Sequence, residues 1–254
     1  MDISRVFPEY ILKELPETAS TNLLMEELLN TSMLPEGSVI FTEVQSAGIG
    51  QSGNVWESEP HKNLTATILL NPDFLGAENQ FFITVVVSLA VSDTLEYFVP
   101  QAKAYIKWPN DIYCNHHKAA GILIKNHIIG SKISASIIGV GLNVNQTEFY
   151  SAPYATSLKK ITGKDFSVNN VMTKWHECIA HYYLLLKNGE QQILMDQYLS
   201  KLYLKGQAAD FVINEAIVRA TIKGVDRYGL LVLCDDNNKK YTCGLKEIVF
   251  PVFG

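Results

Sequence analysis

Gln45-Ser46-Ala47-Gly48-Ile49-Gly50-Gln51-Ser52-Gly53-Asn54-Val55-Trp56 carries glycines at 48, 50 and 53, a G-x-G-x-x-G spacing. Where that spacing opens a helix, it marks the dinucleotide crevice of a parallel sheet. Here no helix follows: the chain runs through Trp56 toward residues 64–70, whose alternating Thr65 and Thr67 read as a strand. Residues 39–44 read as a strand entering the loop, so the loop is slung between strands. A dinucleotide fold is therefore disfavoured, and the expectation is an α+β fold in which helices pack on a mixed β-sheet. Glycines let a backbone curl around an anionic group, and the indole that ends the loop suits the covering of a base or ring.

The flanking segments support that fold. Residues 20–29 read as a helix capped by Ser20 or Thr21, and 79–98 as a longer one. Residues 104–108, 111–114, 120–127 and 133–144 fit short strands. Two further helices are expected at 170–187, with Met172, Trp175, Ile179 and Tyr182 spaced as a buried stripe, and at 191–201. From about Gly206 only short strands remain, at 211–213, 217–225, 230–234 and 240–243, with turns at 226–229 and 235–238. The chain thus divides into a larger unit, 1–205, and a small C-terminal β-barrel, 206–254.

Composition narrows the function classes. At 254 residues with 47% hydrophobic and 19% charged side chains, the chain can bury a substantial core. The longest apolar run, 81–91, is too short to span a bilayer, so no membrane anchor is expected. Residues 1–10 carry charges and Pro8 in place of a signal core, which makes the cytoplasm the expected location. Cys114, Cys178, Cys234 and Cys243 lack the close spacing of a zinc or redox motif and read as reduced thiols. A net charge of -5 without a long basic tract argues against nonspecific nucleic-acid binding, leaving small molecules and protein partners.

A second signature, Lys107-Trp108-Pro109-Asn110-Asp111, sets a cation and a carboxylate around a proline turn. Read by themselves, Lys107 and Asp111 fit a structural ion pair as well as chemistry, and Ser20-Thr21-Asn22 fit a helix cap as well as a binding site. Trp56 reads as core packing or as a stacking surface, and Asn143 as a turn residue or a reader of a base.

Taken in order, Glu17-Thr18-Ala19-Ser20-Thr21-Asn22, the glycine loop, Lys107-Trp108-Pro109-Asn110-Asp111-Ile112-Tyr113, Lys118-Ala119-Ala120-Gly121-Ile122-Leu123 and Gly139-Val140-Gly141-Leu142-Asn143-Val144 resemble the motifs of biotin protein ligases. The resemblance is to the monofunctional type: only residues 1–16 precede the first motif, too few for a helix-turn-helix domain, so no DNA binding is expected. It implies a class II synthetase-like catalytic domain with a small SH3-like β-barrel after it. The implied reaction has two steps: biotin attacks the α-phosphorus of ATP to give biotinyl-5′-AMP, and a lysine of a biotin carboxyl carrier protein, a subunit of acetyl-CoA carboxylase or another biotin-dependent carboxylase, then takes the biotin. Such chemistry calls for cations and Mg²⁺ around phosphate and for a pocket that excludes water.

The resemblance also implies roles. Lys118 is the leading catalytic residue, placed against the biotin carboxylate and the α-phosphate. Lys107 would orient phosphate, and Asp111 would help hold Mg²⁺. Ser20, Thr21, Asn22 and Gln45 would contact the ureido ring of biotin. Gly48, Ile49, Gly50, Gln51 and Gly53 would form the loop over the ligand, with Trp56, Asn110, Gly121 and Asn143 completing the substrate site. A sheet-mediated homodimer is implied as well.

The chain departs from the family pattern inside the loop, where Ile49 stands in the usual place of an arginine and Gln51, Ser52 and Asn54 replace further arginines. Lys125 stands where an acidic residue is common. Isoleucine can cover an apolar ring or acyl chain but cannot contact phosphate. Three other readings stand beside the ligase: a lipoate-type acyl ligase, a noncatalytic binder of biotin or biotinyl-AMP, and, last, a purely structural or interaction protein, which leaves the five ordered motifs unexplained.

Overall fold

The computed structural model describes residues 2–32 and 34–251. Seven strands form one mixed sheet: β1 (Leu12–Thr18), β2 (Val39–Gln45), β3 (Leu64–Leu70), β4 (Ala104–Lys107), β5 (Asp111–Cys114), β6 (His117–Ile129) and β7 (Lys132–Leu142). Their order is β1-β2-β3-β7-β6-β5-β4, with β1 parallel to β2 and the other neighbours antiparallel. The expected α+β fold is the one the chain adopts.

β3 explains why the sheet has two covered faces. All seven of its residues are buried. Leu64, Ala66, Ile68 and Leu70 belong to the large core, whereas Leu69 belongs to a smaller cluster with Met25, Ile40, Ala135 and Ile137. Strand side chains alternate, so Thr65 and Thr67 share the face of Leu69. The helix α1 (Thr21–Thr31) supplies Met25 and covers that face. The opposite face carries α2 (Phe81–Phe98), α4 (Val168–Lys187) and α5 (Gln191–Lys201), and the short α3 (Leu158–Thr162) connects β7 to α4.

α2 is largely apolar because most of it is enclosed, with Asp93, Glu96 and Tyr97 on the side left open. The stretch Ala77–Phe98 has a mean hydropathy of 1.5 and is long and apolar enough to cross a bilayer, against the shorter estimate from the apolar run alone. Its residues Ile83, Val85, Val86, Val87, Leu89 and Leu95 are fully buried against protein, as in a core helix. On α4 the expected stripe is buried, with Trp175 and Ile179 at 1% and 0% exposure.

The C-terminal strands are β8 (Ala208–Ile213), β9 (Ala216–Val225), β10 (Leu231–Asp235), β11 (Lys240–Cys243) and β12 (Ile248–Val249). They form a five-stranded antiparallel sheet in the order β11-β10-β9-β8-β12. Phe211, Ile222, Leu231 and Leu233 from this sheet join the same continuous core as the larger unit. The turn after β9 docks on the second signature: the Trp108 indole N–H donates to the Gly229 carbonyl at 2.7 Å. Gly229 has φ +85°, and a β-carbon there would lie 2.1 Å from the Phe81 ring. Glycine is therefore required at that position for both conformation and space.

The N-terminal segment is held by a buried histidine. His176 of α4 is 1% exposed, stacks on Phe7 with ring centroids 5.7 Å apart, and meets Tyr10 edge-on at 4.9 Å. Burial pushes its pKa down from 6.5 to about 4, against the opposing effects of the Gly37 backbone and Glu177. The unfolded chain takes up this proton near pH 6.5 and the folded chain does not, so the stability is whole above that pH and is lost as pH falls toward 4. The loss should reach roughly 3 kcal/mol by pH 4. Denaturant unfolding between pH 7 and 4 should show this fall for the wild type and a flatter profile for His176→Phe. Identical profiles would contradict it.

Candidate active site

The site lies on the α1 face of the sheet, where three glycines interrupt the layer of strand side chains. On β7, Ala135 and Ile137 pack beneath α1, and the next two positions on that face are Gly139 and Gly141. In register, Gly141 stands between Thr65 of β3 and Gly121 of β6, and Gly139 between Thr67 and Leu123. The vacated volume is occupied. A β-carbon at Gly141 would sit 2.2 Å from the Trp56 indole, one at Gly121 would sit 3.0 Å from it, and one at Gly139 would sit 2.2 Å from Asn22 Oδ1.

The glycine loop folds back as a small hairpin over this floor. Ile49 and Val55 bridge, the Gly50 N–H donates to the Asn54 carbonyl at 2.7 Å, and the Trp56 N–H to the Gly48 carbonyl at 2.9 Å. Gly48 is needed for close approach, since a β-carbon there would lie 2.5 Å from the Trp56 carbonyl oxygen. Gly53 serves the turn with φ +86°. Neither lines the cleft. Trp56 is thereby packed across Gly121 and Gly141 on two strands, and lines the cleft as a wall.

Beneath the hairpin is a narrow cleft of about 50 Å³ that mixes polar and apolar side chains. Ser20, Thr21, Asn22, Gln45, Ile49, Gly50, Gln51, Trp56, Asn110, Lys118 and Gly121 all line it, so eleven of the residues expected from the sequence converge there. Thr65, Ala66, Ile122, Leu123, Gly139, Val140 and Gly141 complete the lining and were missed. Their signal was the period-two alternation of threonine on β3 and glycine on β7. Ser20 occupies the cap position of α1 without a capping bond from its side chain. The polar groups at the head of α1 are tied to the sheet instead. Gln45 Oε1 accepts from the Thr21 N–H at 3.0 Å, Thr67 Oγ1 lies 2.8 Å from Thr21 Oγ1 and 2.5 Å from Asn22 Oδ1, and Asn22 Nδ2 reaches the Leu123 carbonyl at 3.4 Å.

On the other side of the indole is a second, larger cleft of about 420 Å³, lined by Asn54, Val55, Trp56, Glu57, Lys118, Asn143, Phe149, Ser151, Ala152 and Ala155. Trp56 and Lys118 belong to both clefts. Asn143 donates from Nδ2 to the Thr156 carbonyl at 3.0 Å, and its buried Oδ1 has no partner among the described residues. An unused buried acceptor carries a cost that a ligand donor would relieve.

Lys118 stands where the clefts meet. Its Nζ is 2.7 Å from Asp111 Oδ1 and 5.6 Å from the centre of the Trp56 ring. The ion-pair partner of the Asp111 carboxylate is thus Lys118, and the Lys107–Asp111 ion pair gives way to it although those two residues face each other in register. Lys107 turns aside: its ammonium donates to the Tyr113 hydroxyl at 2.9 Å and lies 4.8 Å from the Tyr113 ring and 5.4 Å from that of Phe250. Burial lowers its pKa, and Asp111 opposes the shift. Burial, followed by the charge of Asp111, pushes the Tyr113 phenol up to about 12. Lys107 lines neither cleft, so it buttresses the strand that carries Asp111.

Asp111 is the one acidic group beside the shared lysine, and no cluster of three or more metal-binding side chains occurs among the described residues. That donor set fits a Mg²⁺ carried mainly by substrate phosphates and water, with one protein carboxylate.

Comparison with known proteins agrees with this geometry. A model of the Biotin/lipoate A/B protein ligase family matches residues 15–143. The bifunctional ligase/repressor BirA of Bacillus spizizenii is 33% identical over 128 residues, 50% of this chain and 38% of that protein. The chloroplastic biotin–protein ligase 1 of Arabidopsis thaliana is 28% identical over 245 residues, 89% of this chain and 63% of that protein. The chain thus spans 38% to 63% of the length of these curated relatives. A structure of a biotin protein ligase from Aquifex aeolicus in complex with biotin and ATP superposes with a TM-score of 0.77 at 27% identity, covering 94% of this chain and 97% of that one. The family match takes in half of the chain and every strand that builds the two clefts, and on that ground the chain belongs to the biotin/lipoate A/B protein ligase family.

Proposed function

We propose that this protein is an ATP-dependent ligase that activates biotin as biotinyl-5′-AMP and transfers it to a lysine of a biotin carboxyl carrier protein. The observation that carries this reading is the pair of clefts sharing one cation, Lys118, and one wall, Trp56. Two substrates held on either side of that wall would bring their reacting ends together at the ammonium, which replaces a bimolecular encounter by a positioned one.

The first cleft suits biotin. Ser20, Thr21, Asn22 and Gln45 offer donors and acceptors for a ureido ring, while Ile49, Val140 and Leu123 supply apolar surface for the thiophane ring and acyl chain. The second suits the nucleotide, with Trp56 and Phe149 to cover a base and Asn143 Oδ1 to accept from an amino group. A carboxylate oxygen of biotin attacks the α-phosphorus, the bond to pyrophosphate breaks, and Lys118 stabilises the negative charge developing on the phosphoryl oxygens. Magnesium is read as arriving with ATP, and its chemistry is to neutralise phosphate charge. In the second step the carrier amine attacks the acyl carbon, the acyl–phosphate bond breaks and AMP leaves. Asp111, 2.7 Å from Lys118, is the carboxylate placed to take the amine proton.

The remaining expectations are proposals of the same reading. The five-stranded C-terminal sheet, with a register shift at Val232/Leu233, is read as a small SH3-like barrel forming a unit from about residue 206. β1 is the free edge of the main sheet and carries exposed Leu12, which suits a sheet-mediated homodimer. A cytoplasmic location is kept on the scattered cysteines.

Mass spectrometry of a carrier domain incubated with the protein, biotin and MgATP should show one biotin added to one lysine, and Lys118→Ala should slow the addition at least about a hundredfold. Biotin bound with no carrier modified would favour the noncatalytic reading, and a preference for lipoate would favour an acyl ligase. The loop bears on a second outcome. Lys118 is the cation that lines the clefts, and Ile49 occupies the arginine place. Ile49→Arg should slow release of biotinyl-5′-AMP about tenfold, the worth of one charged hydrogen bond. Equal release rates would contradict the account of the loop.

A further inference from the structure

We propose that Glu57 is a positioning residue that ties the glycine hairpin to residues 149–152 and thereby sets the roof of the second cleft. The proposal rests on reading that cleft as the nucleotide site.

Glu57 follows Trp56 directly, so its backbone is fixed by the indole packed over Gly121 and Gly141. Its two carboxylate oxygens are spent on the facing loop. Oε1 accepts from the Tyr150 N–H at 3.0 Å and from Gln146 Nε2 at 3.3 Å. Oε2 accepts from the Tyr150 N–H at 3.1 Å, the Ser151 N–H at 2.7 Å and the Ser151 hydroxyl at 2.5 Å. Successive backbone amides converging on one carboxylate form an anion-binding nest, here filled by a side chain of the same protein.

Besides Glu57, the loop is held by the Ala155 N–H donating to the Ala152 carbonyl at 2.8 Å and by the Lys160 ammonium 5.4 Å from the centre of the Phe149 ring. Residues 149–152 form no helix or strand, and Tyr150 is 90% exposed. A segment with few apolar contacts opens easily unless polar contacts fix it. The near side of the tie is rigid by contrast. Gln146 is 2% exposed, and its Oε1 accepts from Asn63 Nδ2 at 2.6 Å and from the Glu59 N–H at 2.9 Å, while Asn63 Oδ1 accepts from the Val144 N–H at 3.0 Å. Glu57 therefore joins the soft edge of the cleft, which contributes Phe149, Ser151 and Ala152, to the stiff end of β7 and to the hairpin. Desolvation opposes ionisation of Glu57, but the bonds from Ser151 and Tyr150 outweigh it and hold the carboxyl below its ordinary range, so the tie is charged at neutral pH.

The consequence is a selective effect on nucleotide. Glu57→Gln keeps the shape but turns an amide N–H₂ toward the loop donors, and Ser151→Ala removes the one hydroxyl donor from the opposite side while leaving the backbone N–H. Glu57→Gln should raise KM for ATP and speed biotinyl-5′-AMP release about tenfold, and Ser151→Ala about threefold, as charged hydrogen bonds are lost. Affinity for biotin alone should stay within about twofold in both, because Glu57 does not line the first cleft. Glu57→Asp, which keeps the charge, should recover part of the ATP effect. Hydrogen exchange on the free protein should show Tyr150 and Ser151 amides exposed in Glu57→Gln and protected in the wild type. Unchanged KM for ATP, or equal weakening of ATP and biotin with a lower melting temperature, would overturn the proposal. If the wild type itself turns over no ATP with biotin, the ligase reading fails, and the amide exchange alone still decides the tie: protection retained in Glu57→Gln overturns it.

Discussion

Three missing side chains govern the site. Gly121, Gly139 and Gly141 sit on one face of two paired strands, and their lack of β-carbons lets Trp56 and Asn22 lie directly on the backbone. Sheet twist and ladder bonding are unaffected, because none of the three has a positive φ. The cost falls on packing: a strand glycine gives up a side chain that would otherwise fill the core. The fold offsets this by filling the gap with an indole carried on a separate hairpin. One wall then divides two clefts, and a lysine at the start of β6 serves both.

The electrostatics follow from that geometry. Lys118 is half-buried and neutralised by Asp111, so its charge is paired where the clefts meet. Incoming phosphate and carboxylate groups would compete with Asp111 for the ammonium. The glycine hairpin adds no cation, since the chain has arginines only at 5, 219 and 227. Lys107, the other lysine of the second signature, is committed to Tyr113 and Phe250. The hairpin of this chain therefore brings shape and apolar surface to the first cleft and no side-chain cation.

Much of this was legible in the sequence because periodicity and motif coincide at the site. β3 (Leu64–Leu70) and α5 (Gln191–Lys201) fall on the expected residues, and eleven expected site residues line one cleft. What was not legible depended on tertiary contact. β1 has Pro16 and largely exposed side chains, so it lacks the alternation of a half-buried strand and is defined only by its pairing with β2. α3 and β12 are too short for any periodic signal. Asp111 pairs with Lys118, which stands opposite Tyr113 across a register shift, and not with its direct cross-strand neighbour Lys107, a choice that spacing along the chain cannot make. Glu57 carries no signal along the chain, since its partners at 146, 150 and 151 lie about ninety residues away in sequence.

The central claim is that Lys118 joins two substrate clefts at the point of reaction. Exchange of labelled pyrophosphate into ATP, measured with and without biotin and without any carrier, isolates the first step from the second. The account predicts exchange that requires biotin and is abolished in Lys118→Ala while biotin still binds. Exchange that proceeds without biotin, or that survives unchanged in Lys118→Ala, would contradict it.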